Sequence, residues 1–358
     1  MLVVLKIGSS VLEKDGKPDE KIFDGISSVI GDCLKEGKAK FVVVSSGAML
    51  FGVMETNLKK AENLIRKQAL CAIGQPKLMN MWEKSLSKYG LKPAQILLIH
   101  DDFASKERSQ NVKNTIEEII KMGFIPIVNE NDPVSTEEIK LGDNDFLSVY
   151  LSALINAEKL IIASDIDGVI DESGKVIEEI NFEDKEIWKK IKTIKSKKRV
   201  SSGGITSKLS ATKLASEFGI ESFIINGKKP ENIKMAVEGK RVGTRIIPGK
   251  KYPKKILWIG NVLKCKGKLE VDEGAFNAII SGKSLLPSGV IKVSGNFSRG
   301  DMIELEFNRK TFAKGISNYS SAEINLIKGK KTSEIERILG YKREDEIIHR
   351  DNMMILLD

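Results

Sequence analysis

Two short polar clusters stand out in this 358-residue chain, because each collects groups that a protein interior tolerates only when they are compensated. Gly142-Asp143-Asn144-Asp145 sets a glycine, an amide and two carboxylates between apolar segments. Upstream of it, Asn129-Glu130-Asn131-Asp132 closes the apolar run Phe124-Ile125-Pro126-Ile127-Val128. Carboxylates and amides grouped in this way suit a cation, a substrate amine or lysines. Two lysines sit where such compensation is useful. Lys6 ends an apolar run and precedes the turn Gly8-Ser9-Ser10, and Lys208 closes Ser201-Ser202-Gly203-Gly204-Ile205-Thr206-Ser207. Lysine neutralises phosphate oxygens, and glycine lets backbone amides approach the same anion. The hydroxyl and glycine stretch before Lys208 reads as an anion-binding loop at the opening of a helix. Together these residues suit phosphoryl transfer, in which charge spreads over the equatorial oxygens and positioned cations matter more than a covalent nucleophile.

Simpler readings compete with each of these features. The spacing of a Walker loop is missing from residues 201–208, and a flexible solvated turn has the same composition. Asp132 precedes Pro133 and could start a turn, while Asp143 could cap a helix over residues 145–154. The run 189–199 carries seven basic residues in eleven and reads as a solvated face. His100 and His349 lack a nucleophile or metal partner in sequence and read as structural. Cys33, Cys71 and Cys265 show no metal-ligand or disulfide spacing and read as buried thiols. Trp82, Trp188 and Trp258 are too dispersed for a stacking platform.

The elements that must position these groups alternate between short β-rich runs and helical stretches. Strands are expected at residues 3–5, 41–44, 95–99, 125–128, 160–163 and 222–225, and helices at 19–36, 58–89, 112–122 and 207–218. Such alternation predicts an α/β fold with a largely parallel sheet between helix layers. Every polar cluster falls at the carboxyl end of a strand, where ligands bind in such sheets. The texture changes at residues 242–249: beyond them come short strands and frequent glycines, as in a small β-rich barrel. We expect domains at 1–248 and 256–358 with a linker at 249–255.

Composition is that of a globular protein, with 41% hydrophobic and 30% charged residues. No apolar run approaches the roughly 20 residues needed to span a bilayer. The first charge arrives at Lys6, too soon for a signal peptide, so the expectation is a cytoplasmic protein without a membrane partner. Of the net charge of +9, +5 falls in residues 251–358, a modestly basic tail compatible with either a polyanion or a solvated surface.

The first 245 residues resemble the amino-acid kinase family. The matching stretches are VLKIGSS at 4–10, VSSGA at 44–48, IGQ at 73–75, VNEND at 128–132, IKLGDND at 139–145, SD at 164–165 and SGGITSK at 202–208, in family order. The remainder resembles a PUA domain through VDEGA at 271–275, SLLP at 284–287, GNFSRGD at 295–301, LGY at 339–341 and HRD at 349–351. This pairing implies the branch of the family that phosphorylates the γ-carboxylate of glutamate with ATP and opens proline biosynthesis. The resemblance implies that Lys6 and Lys208 grip the ATP phosphates and that Asp145 orients both. It assigns Ser46, Asp132 and Asn144 to glutamate. To ATP it assigns Lys6, Gly8, Ser164, Asp165, Ser202, Gly203, Gly204, Ile205, Thr206, Ser207 and Lys208. Gly8 and Gly47 would let backbone amides approach reacting oxygens. Mg2+ would travel with ATP and take no direct ligand from the protein. No general base is needed, since the substrate γ-carboxylate is already ionised at neutral pH. Asp132 suits the α-ammonium of glutamate, and Asn144 would donate to its α-carboxylate.

Further implied partners are proline as a feedback inhibitor, RNA through the PUA module, and like chains in a homodimer or homotetramer. An RNA-modifying protein is the alternative of a different class, but residues 1–250 carry no catalytic domain for that chemistry. N-acetylglutamate, aspartate and UMP are the competing acceptors.

Overall fold

The computed structural model describes residues 1–56, 63–135, 144–184, 186–188, 203–249 and 265–356. The chain divides into two compact units, Met1–Lys251 and Tyr252–Asp358.

The first unit opens with β1 (Leu2–Ile7), buried from Val3 to Ile7. A continuous buried run, rather than an alternating one, marks a strand covered on both faces. A short hairpin follows, β2 (Glu13–Lys14) and β3 (Lys17–Pro18), and then α1 (Glu20–Lys35) and β4 (Lys40–Ser45). Next come α2 (Ala48–Thr56), α3 (Leu64–Ser87), β5 (Pro93–Leu98), α4 (His100–Ala104), α5 (Lys106–Lys121) and β6 (Ile125–Glu130). The unit continues with α6 (Asn144–Leu154), β7 (Lys159–Ser164), β8 (Glu179–Asn181), α7 (Gly203–Glu217), β9 (Glu221–Asn226), α8 (Glu231–Val237) and β10 (Thr244–Ile247). The sheet order is β5-β6-β4-β1-β7-β9-β10-β8. From β5 to β9 all pairings are parallel, whereas β10 runs antiparallel to β9. From β1 the chain builds one side of the sheet and then crosses to β7 on the other. That reversal opens a crevice at the carboxyl end of the central strands.

Residue types account for most boundaries. Asp19 caps α1 by accepting the Lys21 amide, as the polar start of that segment predicts. Ser105 caps α5, which therefore begins earlier than the expected residue 112. Four strands escape the sequence reading: β2 and β3 are two residues each, β8 is three residues long, and β10 lies inside the stretch read as a domain boundary. Helix α2 is missed as well, because Ala-Met-Leu-Phe-Gly-Val-Met has no polar face to set a helical period. Cys33 and Cys71 are buried as expected, but Cys265 is only half-buried.

Helices α2 and α3 pack closely through two glycines. A Cβ at Gly52 would lie 2.0 Å from the Leu70 carbonyl oxygen, and one at Gly74 would lie 1.9 Å from that of Ala48. The contact matters because α2 starts directly behind Ser46 and α3 runs beneath the strand ends. Among the described residues no helix is long and apolar enough to cross a membrane.

The second unit holds β11 (Cys265–Val271), α9 (Glu273–Ile280), β12 (Val290–Gly295), β13 (Met302–Phe307), β14 (Lys310–Ile316), α10 (Ser321–Ile327), α11 (Ile335–Leu339) and β15 (Met353–Ile355). Its five strands are ordered β12-β11-β13-β14-β15 over a core that includes Leu269, Ile303, Phe312, Tyr319 and Ile348. This is the β-rich second unit that the glycine-punctuated texture implies.

Replacing Gly74 with alanine forces the α2 and α3 backbones apart, and overpacking of this kind costs about 1–3 kcal/mol. Urea denaturation of Gly74→Ala measures it, and an unchanged midpoint would show that the close helix contact is dispensable.

Candidate active site

Three elements converge on one buried carboxylate. Lys6 is the fifth residue of β1, in register with Val44 of β4 and Ile162 of β7. Asp145 lies in the first turn of α6, where the helix N-terminus favours negative charge. Lys208 stands in α7, which packs against α6, and α6 in turn packs on β1. Lys6 Nζ is ion-paired with Asp145 Oδ1, and Lys208 Nζ stands 3.5 Å from Asp145 Oδ2. The Asp145 side chain is fully buried, and the Lys6 side chain is only 4% exposed. Two ammonium groups thus meet on one carboxylate in a desolvated place, and the Lys208 charge also reaches Asp165. Lysines held in this way suit a polyphosphate.

A second group surrounds Asn144. Its Nδ2 donates to Ser46 Oγ at 2.8 Å and to Asn129 Oδ1 at 3.0 Å, so both amide hydrogens are engaged. Asn129 Nδ2 donates to Gln75 Oε1 at 2.9 Å, and Gln75 Nε2 donates to Gln95 Oε1 at 3.2 Å. Ser46 is held by the turn after β4: its amide donates to the Ile7 carbonyl, and Gly47 follows at φ +114°, a conformation that needs glycine. These contacts differ from the expectation that Asn144 donates to an α-carboxylate, since its donors are already used within the protein.

Asp132 begins a single 3₁₀ turn with Pro133 at its second position. Burial pushes its carboxyl above the usual range, partly offset by a hydrogen bond from the Cys71 thiol and by Lys67. Burial and the adjacent carboxylate push Cys71 up to about 12, so it stays a neutral donor. Of the substrate-site residues named from sequence, Ser46 and Asn144 are directly bonded, whereas Asp132 is tied to α3 through Cys71.

Ser164 ends β7, and its hydroxyl donates to Asp165 Oδ1 at 3.1 Å. Burial raises the Asp165 pKa, but its own backbone amide and the Ser164 and Ser10 hydroxyls, with the Lys208 charge, outweigh this and hold the carboxyl low. Gly8 donates its N–H to the Ala163 carbonyl at 3.0 Å. The Gly8 amide is therefore not itself a free anion donor, and the glycine instead leaves the turn without a side chain. The stretch read as a loop is already helical: Gly203, Gly204, Ile205, Thr206 and Ser207 begin α7, and Lys208 falls in its second turn. Ser202, Gly142, Asp143 and the basic run at 189–199 lie outside the described residues. Among the described residues no group of three or more His, Cys, Asp or Glu side chains converges as a metal site.

Gln75, Gln95, Cys71 and Ser10 have no role in the sequence reading. The signal was present: Gln68, Cys71 and Gln75 recur at helical spacing on α3, one face of a helix.

The sequence profile described as the amino acid kinase family matches residues 1–226. The chain belongs to the amino acid kinase family. Residues 267–339 match the PUA domain. A glutamate 5-kinase of Thermoanaerobacter sp. (strain X514) is 41% identical over 99% of this chain and 98% of its own. Those of Kosmotoga olearia and Aquifex aeolicus are 42% and 40% identical, each covering at least 98% of both chains. A solved Giardia carbamate kinase covers 69% of this chain and 98% of its own, with a TM-score of 0.50 and 17% identity, a likeness of fold. In this amino acid kinase Lys6 and Lys208 meet at Asp145 beside the end of β1.

Asp145→Asn leaves two largely buried lysines without their shared counter-charge, and breaking a buried pair in this way costs about 3–5 kcal/mol. We expect a loss on that scale in urea denaturation without ligand. A variant as stable as the parent would show that the lysines do not depend on Asp145.

Proposed function

We propose that this chain transfers the γ-phosphoryl group of ATP to the γ-carboxylate of L-glutamate, giving γ-glutamyl phosphate and ADP at the first step of proline biosynthesis. The observation that carries the reading is Asp145 held between Lys6 and Lys208, next in sequence to Asn144 and its bond to Ser46. Near full-length relatives named glutamate 5-kinase support the choice of acceptor.

In this reaction a γ-carboxylate oxygen attacks the γ-phosphorus in line, and the bond to the bridging oxygen of ADP breaks. The attacking carboxylate carries no proton at neutral pH, so the protein supplies alignment and charge rather than a base. Lys6 and Lys208 meet the charge that develops on the transferred group, and Asp145 prevents either from swinging away. Ser164, Asp165 and the first turn of α7 form the nucleotide side. Magnesium, arriving on the nucleotide, supplies further neutralisation of phosphate oxygens. Asp132 takes the α-ammonium of glutamate.

ADP release measured across glutamate, N-acetylglutamate, aspartate and UMP tests the acceptor, and turnover with another acceptor but not glutamate would overturn it. Lys6→Ala and Lys208→Ala should each lower kcat by about 100-fold or more while changing the glutamate KM little, as expected for contacts made to transition-state charge.

The raised Asp132 pKa gives a pH signature. As pH falls, the ionised form that binds ammonium is lost at a higher pH than for an ordinary carboxylate. The glutamate KM should therefore climb as pH falls towards the raised pKa, sooner than an ordinary carboxylate would dictate and over and above titration of the substrate itself. Asp132→Asn should raise KM at neutral pH and abolish that extra climb. By the same linkage, stability due to this group is present at low pH and declines as pH rises through its folded pKa. Asp132→Asn should accordingly cost the free protein no stability.

A further inference from the structure

The amides beneath the substrate cluster form a directed chain whose direction is set by the backbone. The Glu130 N–H donates to Asn129 Oδ1 at 2.9 Å. A backbone amide can only donate, so this contact fixes which end of the Asn129 side chain is oxygen. Asn144 must then present nitrogen to that oxygen, and Asn129 nitrogen must face Gln75 Oε1. Gln75 passes its own nitrogen to Gln95 Oε1. Every hydrogen in the chain therefore points away from Asn144 and out towards Gln95, which is exposed. At the inner end Asn144 Oδ1 is buried and has no hydrogen-bond partner among the described residues. Ser46 Oγ accepts from Asn144, so its own hydrogen remains to be donated.

Two α3 side chains bond the segment that carries Asn129 and Asp132: Gln68 donates to the Ser135 carbonyl at 2.8 Å, and Gln75 accepts from Asn129. Gln75 and Asn129 are 8% and 3% exposed, so neither amide has bulk water as a substitute partner.

We infer that Gln75 is a positioning residue for acceptor recognition: through Asn129 it holds Asn144 in the orientation that presents Oδ1, a hydrogen-bond acceptor, to a primary ammonium group. Resting on the glutamate reading, this assigns the α-ammonium two acceptors, Asp132 and Asn144 Oδ1. Ser46 is left as a donor for a carboxylate oxygen. An acceptor without the ammonium would strand Asn144 Oδ1 in a dry place, so the relay lets Gln75 and Asn129, which do not touch the substrate, contribute to selectivity for amino acids.

The test compares glutamate with glutarate, which has both carboxylates and no ammonium. In Gln75→Met the helix-forming length is kept but the relay is cut. The glutamate KM should rise about tenfold, the scale of one misaligned hydrogen bond to a charged group, with kcat within about threefold and the glutarate inhibition constant within about twofold. A KM that does not move, or equal weakening of both ligands, overturns the inference. Wild-type turnover of glutamate in the same assay stands for the underlying reading, so a normal wild type with an unchanged Gln75→Met ratio overturns the relay alone. Should Gln75→Met fail to fold, Gln95→Leu at the exposed end moves the same ratio in the same direction by about threefold. No change there is equally fatal.

Discussion

One buried carboxylate shared by two lysines governs the arrangement of the first unit. Lys6 on a central strand and Lys208 on α7 are remote in sequence, and like charges so placed would repel. Asp145 makes their proximity possible, and it can do so only if α6 delivers it to the strand ends with its helix N-terminus behind it. Removing three charges from water is costly, and a fold that pays this cost gains two lysines held in fixed positions near the strand ends. Lysines so held suit an anion such as polyphosphate.

The acceptor side obeys a different constraint, that of hydrogen-bond direction rather than charge. Amides are ambivalent, and a chain of them could run either way. The Glu130 backbone N–H removes the ambiguity and polarises the chain from Asn144 to Gln95. The close α2 and α3 contact at Gly52 and Gly74 serves the same end, since α2 starts behind Ser46 while α3 carries Cys71 and Gln75. A shift between these helices would disturb both supports of the acceptor cluster at once.

Much of this was legible in the residues. Continuous apolar runs ending in polar clusters revealed the parallel strands, and Asp19 marked the start of α1. Lys6, Asp145 and Lys208 followed from electrostatic compensation and from the family resemblance, and the structure brings the three together. What escaped was information not carried by local pattern. Helix α2 has no periodic contrast, and β8 is a three-residue edge strand whose partner, β10, is distant in sequence. The stretch at 203–208 has glycines that suggest a loop, but packing of α7 on α6 overrides their weak helix propensity. The contacts that engage both Asn144 amide hydrogens within the protein are likewise tertiary and leave no local pattern.

Asn144 and Asp145 are neighbours in the first turn of one helix, where successive side chains diverge by about 100° around the axis. That divergence allows one residue to serve the amide chain and the next to serve the lysines without competing for space. It also couples the two halves of the site mechanically. Any rotation or slip of α6 that improved one set of contacts would degrade the other, so the reacting groups are aligned only when the helix start is held in a single place. The buried Ser148 and Ser152 hydroxyls, bonded to carbonyls of their own helix, let α6 lie against its neighbours without polar groups seeking partners elsewhere. In the function proposed above, substrate recognition and phosphoryl transfer would share this one turn, and the precision needed between two reacting molecules would rest on a single helix end.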